Sequence, residues 1–326
     1  MSLFVEGSLD AGRALPAEET LRRHGRSFHL ASRVLPPAIR ARAAGLYAFC
    51  RHVDDLADTE QDRNRAEREL SRLRDDLVRR SARCPDSARL LQLAAETDLP
   101  LEPALKLIDT VSQELRGQRV VSPPQLIDYA YGVAGTVGLM MCKILDARDP
   151  RATAHAVDLG IAMQLTNIAR DVGEDAAMGR IYLPASWLGA MTPAEILAPD
   201  SIGQKALRRA TARCLALADA YYDSGLAGLK YLPGRCRYSI AVAAHVYRAI
   251  GDRIAAADYQ SWDRRAVVPV PARLRIAAGG LVRELVGSPR RGNSIHPNLR
   301  AVRETRTDKA VSPDAHRCQP PRTSIY

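Results

Sequence analysis

Between positions 16 and 287 short breakers divide the chain, and most of what lies between them reads at helical period. "LPP" at 35–37 ends one predicted helix and opens the next, because proline is tolerated in a first turn but not in a helix interior. "RCPDSA" and "DLPLEP" bound a segment near 84–103, and "VSPPQ" at 121–125 opens the helix carrying "YAYGVAGTVGLMMCKIL". "MGRIYLPASWLG" reads as a loop, "LPGRCR" at 232–237 as a link between two late helices, and "VVPVPARL" as the entry to the last one. Aromatic residues make up only 5% of the chain, and long alternating β-branched runs are absent. The expectation is an all-α fold without internal repeats. A single domain over 16–287 is larger than usual, and a helical shell around one central cavity accounts for that size.

The flanks read differently. Residues 1–15 form a short lead with neither the basic nor the long apolar region of a signal peptide. Residues 288–326 carry eight Lys/Arg against three Asp/Glu, a net +5 within a chain of net +10, and are rich in Pro, Ser and Thr. With no apolar periodicity, this basic tail is predicted to be mostly disordered. It suits an anionic lipid surface or simple solubilisation, and no nucleic-acid partner is expected. No stretch reaches the ~20 apolar residues of a membrane span, and "YSIAVAAHVY" at 238–247 reads as a core helix. The six cysteines are scattered with no CxxC pair, which argues against zinc or redox chemistry and for a reducing compartment. The expected location is the cytoplasm, with peripheral contact at the inner face of the membrane.

Two helical segments carry chemistry. In "LYAFCRHVDDLADTE" at 46–60, Tyr47, Arg51, Asp54 and Asp58 share one stripe, while Leu46, Phe49, Val53 and Leu56 fall mainly opposite. In "QLTNIARDVGEDAAMGRIYLP", Gln164, Asn167, Asp171 and Asp175 form a second stripe, since residues four apart drift only about 40° around a helix. Either could be a wet acidic face. Yet aspartate is a poor interior helix residue and like charges four apart repel, and both segments accept that cost between apolar flanks. Carboxylates on two facing helices suit Mg²⁺, which takes one or two carboxylates and completes its shell with water and phosphate. Arg51 and Arg170 lie in the same segments and suit the phosphates of an organic diphosphate.

The blocks "SFHLASRVLPP", "LYAFCRHVDDLAD", "YGVAGTVGLMM", "QLTNIARDVGEDAAMGRIYLP" and "VYRAIGDRI…DYQSWDRRAVV" resemble, in order, the signatures of the squalene/phytoene synthase family. The likeness runs from about residue 20 to about 285. Within the family it is greatest to the bacterial branch that makes the C40 hydrocarbon phytoene, the first committed step of carotenoid synthesis. The resemblance implies a single-domain isoprenoid-synthase helical bundle that joins two geranylgeranyl diphosphates head to head through a cyclopropyl diphosphate. It implies Mg²⁺, with Mn²⁺ as the alternative ion, and no NADPH. It implies that Asp54, Asp58, Asn167, Asp171 and Asp175 hold the metal, with Asp55 beside the first pair. Arg26, Ser27, Tyr47, Arg51, Tyr131, Gln164, Arg170 and Tyr259 would contact substrate, and Asp54, Asp58, Asp171, Asp175, Arg51 and Arg170 would carry catalysis.

Three alternatives stay open on sequence. A squalene synthase or a C30 diapophytoene-type synthase would use farnesyl diphosphate, and the squalene type would require NADPH. A non-catalytic helical assembly protein would be expected to have lost the acidic ligands. Ser32 lies one turn beyond Phe28 and is small, which favours a longer C20 substrate. The geometry of the product, 15-cis or all-trans, and the general base are not assigned.

Overall fold

The computed structural model describes residues 17–58, 62–117, 119–286 and 294–295. The lead at 1–15 and the tail beyond 295 lie outside the described residues, as does the side chain of Arg26. Fifteen α-helices follow one another, with no strand among the described residues.

Helices α1 (Ala17–His24) and α2 (Arg26–Ser32) precede α3 (Pro37–Asp58), which starts at the second proline of "LPP". Asp62 caps α4 (Arg63–Val78) by accepting from the backbone of Asn64 and Arg65. Pro85 opens α5 (Pro85–Thr97), with Cys84 and Ser87 forming a capping box, and α6 (Glu102–Leu115) follows. A second box, Ser122 with Gln125, opens α7 (Pro123–Ala130). From there the chain passes without a break through a π-helical turn, Tyr131–Gly135, into α8 (Thr136–Ile144). The predicted continuous helix is thus locally widened, a feature that often sits at functional sites.

Helix α9 (Pro150–Arg170) is the axis of the molecule, packed against the π-turn and α8 and buried along most of its length. The close crossing depends on Gly160. A Cβ there would fall 2.3 Å from the Ala134 carbonyl oxygen in the π-turn. The chain then bends at Asp171 (φ −106°, ψ 20°) and resumes as α10 (Val172–Ala177). One uninterrupted helix through Asp175 is therefore corrected to two. The acidic spacing survives the bend because Asp171 N donates to Asn167 O at 2.9 Å and Asp175 N to Asp171 O at 2.8 Å.

The segment read as a loop after residue 178 contains a short helix, α11 (Ala185–Leu188). Next come α12 (Pro193–Leu197) and the long α13 (Ser201–Ala227), which lies along α9. A 3₁₀ turn, Gly228–Tyr231, leads to α14 (Gly234–Ala256), the apolar helix anticipated at 238–247, and α15 (Val270–Val286) packs on α14. Beyond it, Ser294 and Ile295 return to α9, where Ile295 N donates to Asp158 Oδ2 at 3.0 Å. Ordered contacts therefore reach past the boundary drawn at 287.

Helices α2, α3, α8, α9, α13 and α14 enclose a cavity that is open at its mouth. Its wall is almost wholly apolar, with Phe28, Leu46, Val137, Met141, Leu159 and Met163 among the lining residues.

Candidate active site

Helices α3 and α9 share one internal order. On α3, Ala43, Leu46 and Tyr47 line the cavity, and Arg51, Asp54 and Asp58 follow. On α9, His155, Leu159, Gly160 and Met163 line it, and Gln164, Asn167 and Arg170 follow. Each helix passes from an apolar wall to a polar cluster, so both clusters lie beyond the cavity-lining turns. Gln164, Asn167, Arg170, Asp171 and Asp175 are all buried, as are Arg51 and Asp54. Burying this many polar groups disfavours folding unless partners meet them, and here arginines do.

Arg170 grips Asp171 with two parallel bonds, Nε to Oδ1 at 2.8 Å and Nη2 to Oδ2 at 2.5 Å. Arg265 adds a third contact to Asp171 Oδ1 at 2.9 Å and approaches Glu174 at 3.5 Å. Its position depends on Gly173, where a Cβ would fall 2.0 Å from the Trp262 carbonyl oxygen, so only glycine lets the 261–265 loop lie this close to α10. Arg180 bonds Asp58 at 2.5 Å and the Ala57 carbonyl at 2.7 Å, and lies 3.2 Å from Glu114. Glu114 also accepts from Tyr129 and Tyr182, whose rings stack 4.9 Å apart. Arg51 pairs with Asp55 at 2.6 Å, while its Nε and Nη1 are buried and have no hydrogen-bond partner.

The two acidic clusters share one electrostatic neighbourhood. Burial, then the nearby charges of Asp171, Glu114 and Asp58, pushes the Asp175 carboxyl well above the usual range. Asp175 Oδ1 is also buried and has no partner. Among the described residues, no three Asp, Glu, His or Cys side chains group as ligands of one ion. Carboxylates are the oxygen donors that a hard cation takes together with water and a phosphate-bearing ligand. The donor set is all oxygen, and the orphaned oxygen of Asp175 and nitrogens of Arg51 are what such a pair of guests would satisfy.

Most of the residues singled out in the sequence converge here. Ser27 and Tyr47 are buried on α2 and α3, and Tyr47 lines the cavity. Two stand apart from the cavity lining. Tyr131 folds back over Gly135 inside the π-turn, and the cavity wall from this region comes instead from Val137, Gly138 and Met141. Tyr259 lines a separate pocket with Thr166, Tyr222 and Arg248. Tyr247, one helix earlier, is buried with its ring 5.1 Å from that of the cavity-lining Phe28. Arg180, Arg265, Glu114 and Tyr182 were not anticipated. Arg180 and Tyr182 stand inside the quoted "GRIYLP", and Arg265 inside "WDRRAVV", so their motifs were visible though their partners were not.

The squalene/phytoene synthase family profile matches residues 21–273. A phytoene synthase of Cereibacter sphaeroides is 39% identical over 81% of this chain and 76% of its own length. One from Rhodobacter capsulatus is 36% identical over 92% and 89%. Among solved structures, a dehydrosqualene synthase with bound ligand superposes with TM-score 0.75 at 26% identity, covering 83% of this chain and 96% of that one. A squalene synthase from Alicyclobacillus acidocaldarius gives TM-score 0.65 at 27% identity, over 76% and 97%. Fold and comparisons together define an all-α isoprenoid-synthase enzyme. The chain belongs to the squalene/phytoene synthase family.

Proposed function

We propose that the enzyme joins two molecules of geranylgeranyl diphosphate head to head to form phytoene, without a nicotinamide cofactor. The observation that carries this reading is the succession of apolar wall and arginine-held acidic cluster on both α3 and α9. One end of such a site suits a long hydrocarbon, the other a diphosphate. Relatives named phytoene synthase, at 34–39% identity, support the C20 substrate over the C15 substrate of the squalene type.

In this reading Asp54, Asp58, Asn167, Asp171 and Asp175 hold Mg²⁺, or Mn²⁺ in its place. The ion supplies neutralisation of the departing diphosphate's charge. The chain's own residues do the rest. Arg51, whose Nε and Nη1 are buried without a partner, offers a forked donor to phosphate oxygens, while Arg170, Arg180 and Arg265, whose forks the acidic residues hold, add positive charge beside it, with Arg26 and Ser27 contributing from α2. Gln164 sits with Asn167 at the junction of cluster and cavity, their amides 3.4 Å apart. The apolar wall excludes water, which would otherwise quench an allylic cation. Tyr47 and Phe28 present aromatic faces to that cation. Tyr131 and Tyr259 have no role in this scheme.

The hydrocarbon product has no affinity for water, and its delivery to a bilayer at the inner face of the membrane completes the reading. No described helix is long and apolar enough to cross a membrane. The deciding experiment incubates purified protein and Mg²⁺ with geranylgeranyl or farnesyl diphosphate and identifies the hydrocarbon. Phytoene from the C20 substrate is expected. Product from farnesyl diphosphate alone would overturn the assignment.

A further inference from the structure

Helix α15 is apolar on two sides. Its inner side, Ala272, Ile276 and Ala277, packs against the core, and Gly280 lies against His245 of α14. Its outer side carries Val270, Leu274, Ala278 and Val282, spaced four apart so that they form one slowly turning stripe. Val270 is 61% exposed, Leu274 53% and Val282 56%. Val267, just before the helix, extends the stripe at 60%. A contiguous exposed apolar face of this kind marks an interaction surface.

Charge and position identify the partner. The exposed ionic residues of α15 are Arg275 and Arg283, and its one acid, Glu284, is buried and bonded to Arg237 at 2.9 Å. The residues beyond 287 add a further excess of Lys/Arg over acids. A helix with an apolar stripe, arginine flanks and no exposed acid fits the interface of an anionic bilayer, with its axis in the membrane plane. The inner side of α15 packs on α14, whose Ser239, Ile240 and Ala243 line the cavity, so only the α15 and α14 layers separate the stripe from the cavity. We infer that the outer face of α15 is the surface by which the enzyme seats on an anionic membrane. This inference rests on the proposed apolar product and its delivery to a bilayer.

The test is co-sedimentation of the full chain with vesicles of zwitterionic lipid alone and of zwitterionic lipid mixed with anionic phosphatidylglycerol, across a salt series. The variants are Leu274→Glu with Val282→Glu, and a control, Ile202→Glu, at an exposed site on α13 (75% exposed). The double variant is expected to lose at least about tenfold in partition to anionic vesicles while keeping its activity in detergent. The control is expected to bind as the parent does. A parallel variant, Leu274→Trp, is expected to gain a blue-shifted emission component on anionic vesicles. It keeps the question answerable if the double variant misfolds. Unchanged binding by the double variant, or no vesicle-dependent change in the emission of the Leu274→Trp variant, would overturn the α15 assignment and leave membrane delivery standing. Absence of binding by the parent chain would overturn both. A parent dimer in solution that the double variant dissolves would make the face a self-interface and overturn the inference.

Discussion

Arg180 bonds Asp58 across the gap between the loop after α10 and the end of α3, with Nη1 and Oδ1 2.5 Å apart. The same guanidinium reaches the Ala57 carbonyl and lies 3.2 Å from Glu114. One arginine thus ties the last turn of the first acidic helix to the Glu114–Tyr129–Tyr182 wall. Arg180→Ala is expected to lower kcat/KM by about 100-fold or more, the scale of removing one preorganised charged donor. Arg180→Lys, a point charge without the fork, should restore only part of it. Steady-state kinetics over a Mg²⁺ series checks both. Activity within a few-fold of the parent in the alanine variant would reduce the contact to a structural tie.

Replacing a proposed metal ligand isolates charge from shape. Asp54→Asn and Asp171→Asn are each expected to cut turnover by about two orders of magnitude or more, with helicity by circular dichroism unchanged. Asp171→Asn also leaves Arg170 and Arg265 without their shared carboxylate, so its thermal midpoint should fall further than that of Asp54→Asn. Parent-like turnover at limiting Mg²⁺ in either variant removes that residue from the ligand set.

The reaction is expected to need no reductant. Product analysis with and without NADPH distinguishes the branches, and a hydrocarbon formed only when NADPH is supplied would favour the squalene type.

Substrate length should respond to the wall opposite the charges. Ser32 is buried, lines the cavity and donates to the His29 carbonyl at 2.9 Å. Ser32→Phe fills part of that space and is expected to shift preference from the C20 towards the C15 diphosphate by about tenfold in kcat/KM. Competition between the two substrates measures it. An unchanged ratio would place the length limit elsewhere in the wall.

Removal of residues 296–326 is expected to leave folding and detergent activity intact, because the last described contacts are those of Ser294 and Ile295 with α9. Vesicle binding should weaken and lose much of its salt dependence, at roughly 1 kcal/mol for each Lys/Arg near an anionic surface. Sedimentation of the full and shortened chains across a salt series reads both effects. Identical curves would show that the tail makes no membrane contact.

Much of this was legible in the residues. The proline and turn signals at 37, 85 and 122 mark helix starts because they act on the backbone locally. The acidic stripes were legible because a four-residue period survives even the bend at Asp171. The bend itself was not, since Asp171 leaves helical geometry where Arg170 and Arg265 hold its carboxylate, and Arg265 is remote in sequence. Arg180 to Asp58 is a tertiary contact that no local pattern encodes. The place of Tyr259 was not legible for a similar reason: it falls in the left-handed turn after α14, and that turn puts it in the pocket beside Tyr222 and Arg248. The tyrosine that does pack beside the cavity, Tyr247, lies one helix earlier.

Helix α9 is buried on nearly every side and carries Gln164, Asn167 and Arg170 within two turns. Any change of side-chain volume there must be absorbed by α8, α13, α14 and the π-turn together. The cavity wall is shared between α9 and less enclosed elements such as α2, which packs mainly on α1 and α14. The architecture therefore divides the chain into a part that resists variation and a part that admits it. Under the proposed reading, a substitution on α2 would change the length of hydrocarbon accepted and leave the acidic clusters of α3 and α9 untouched.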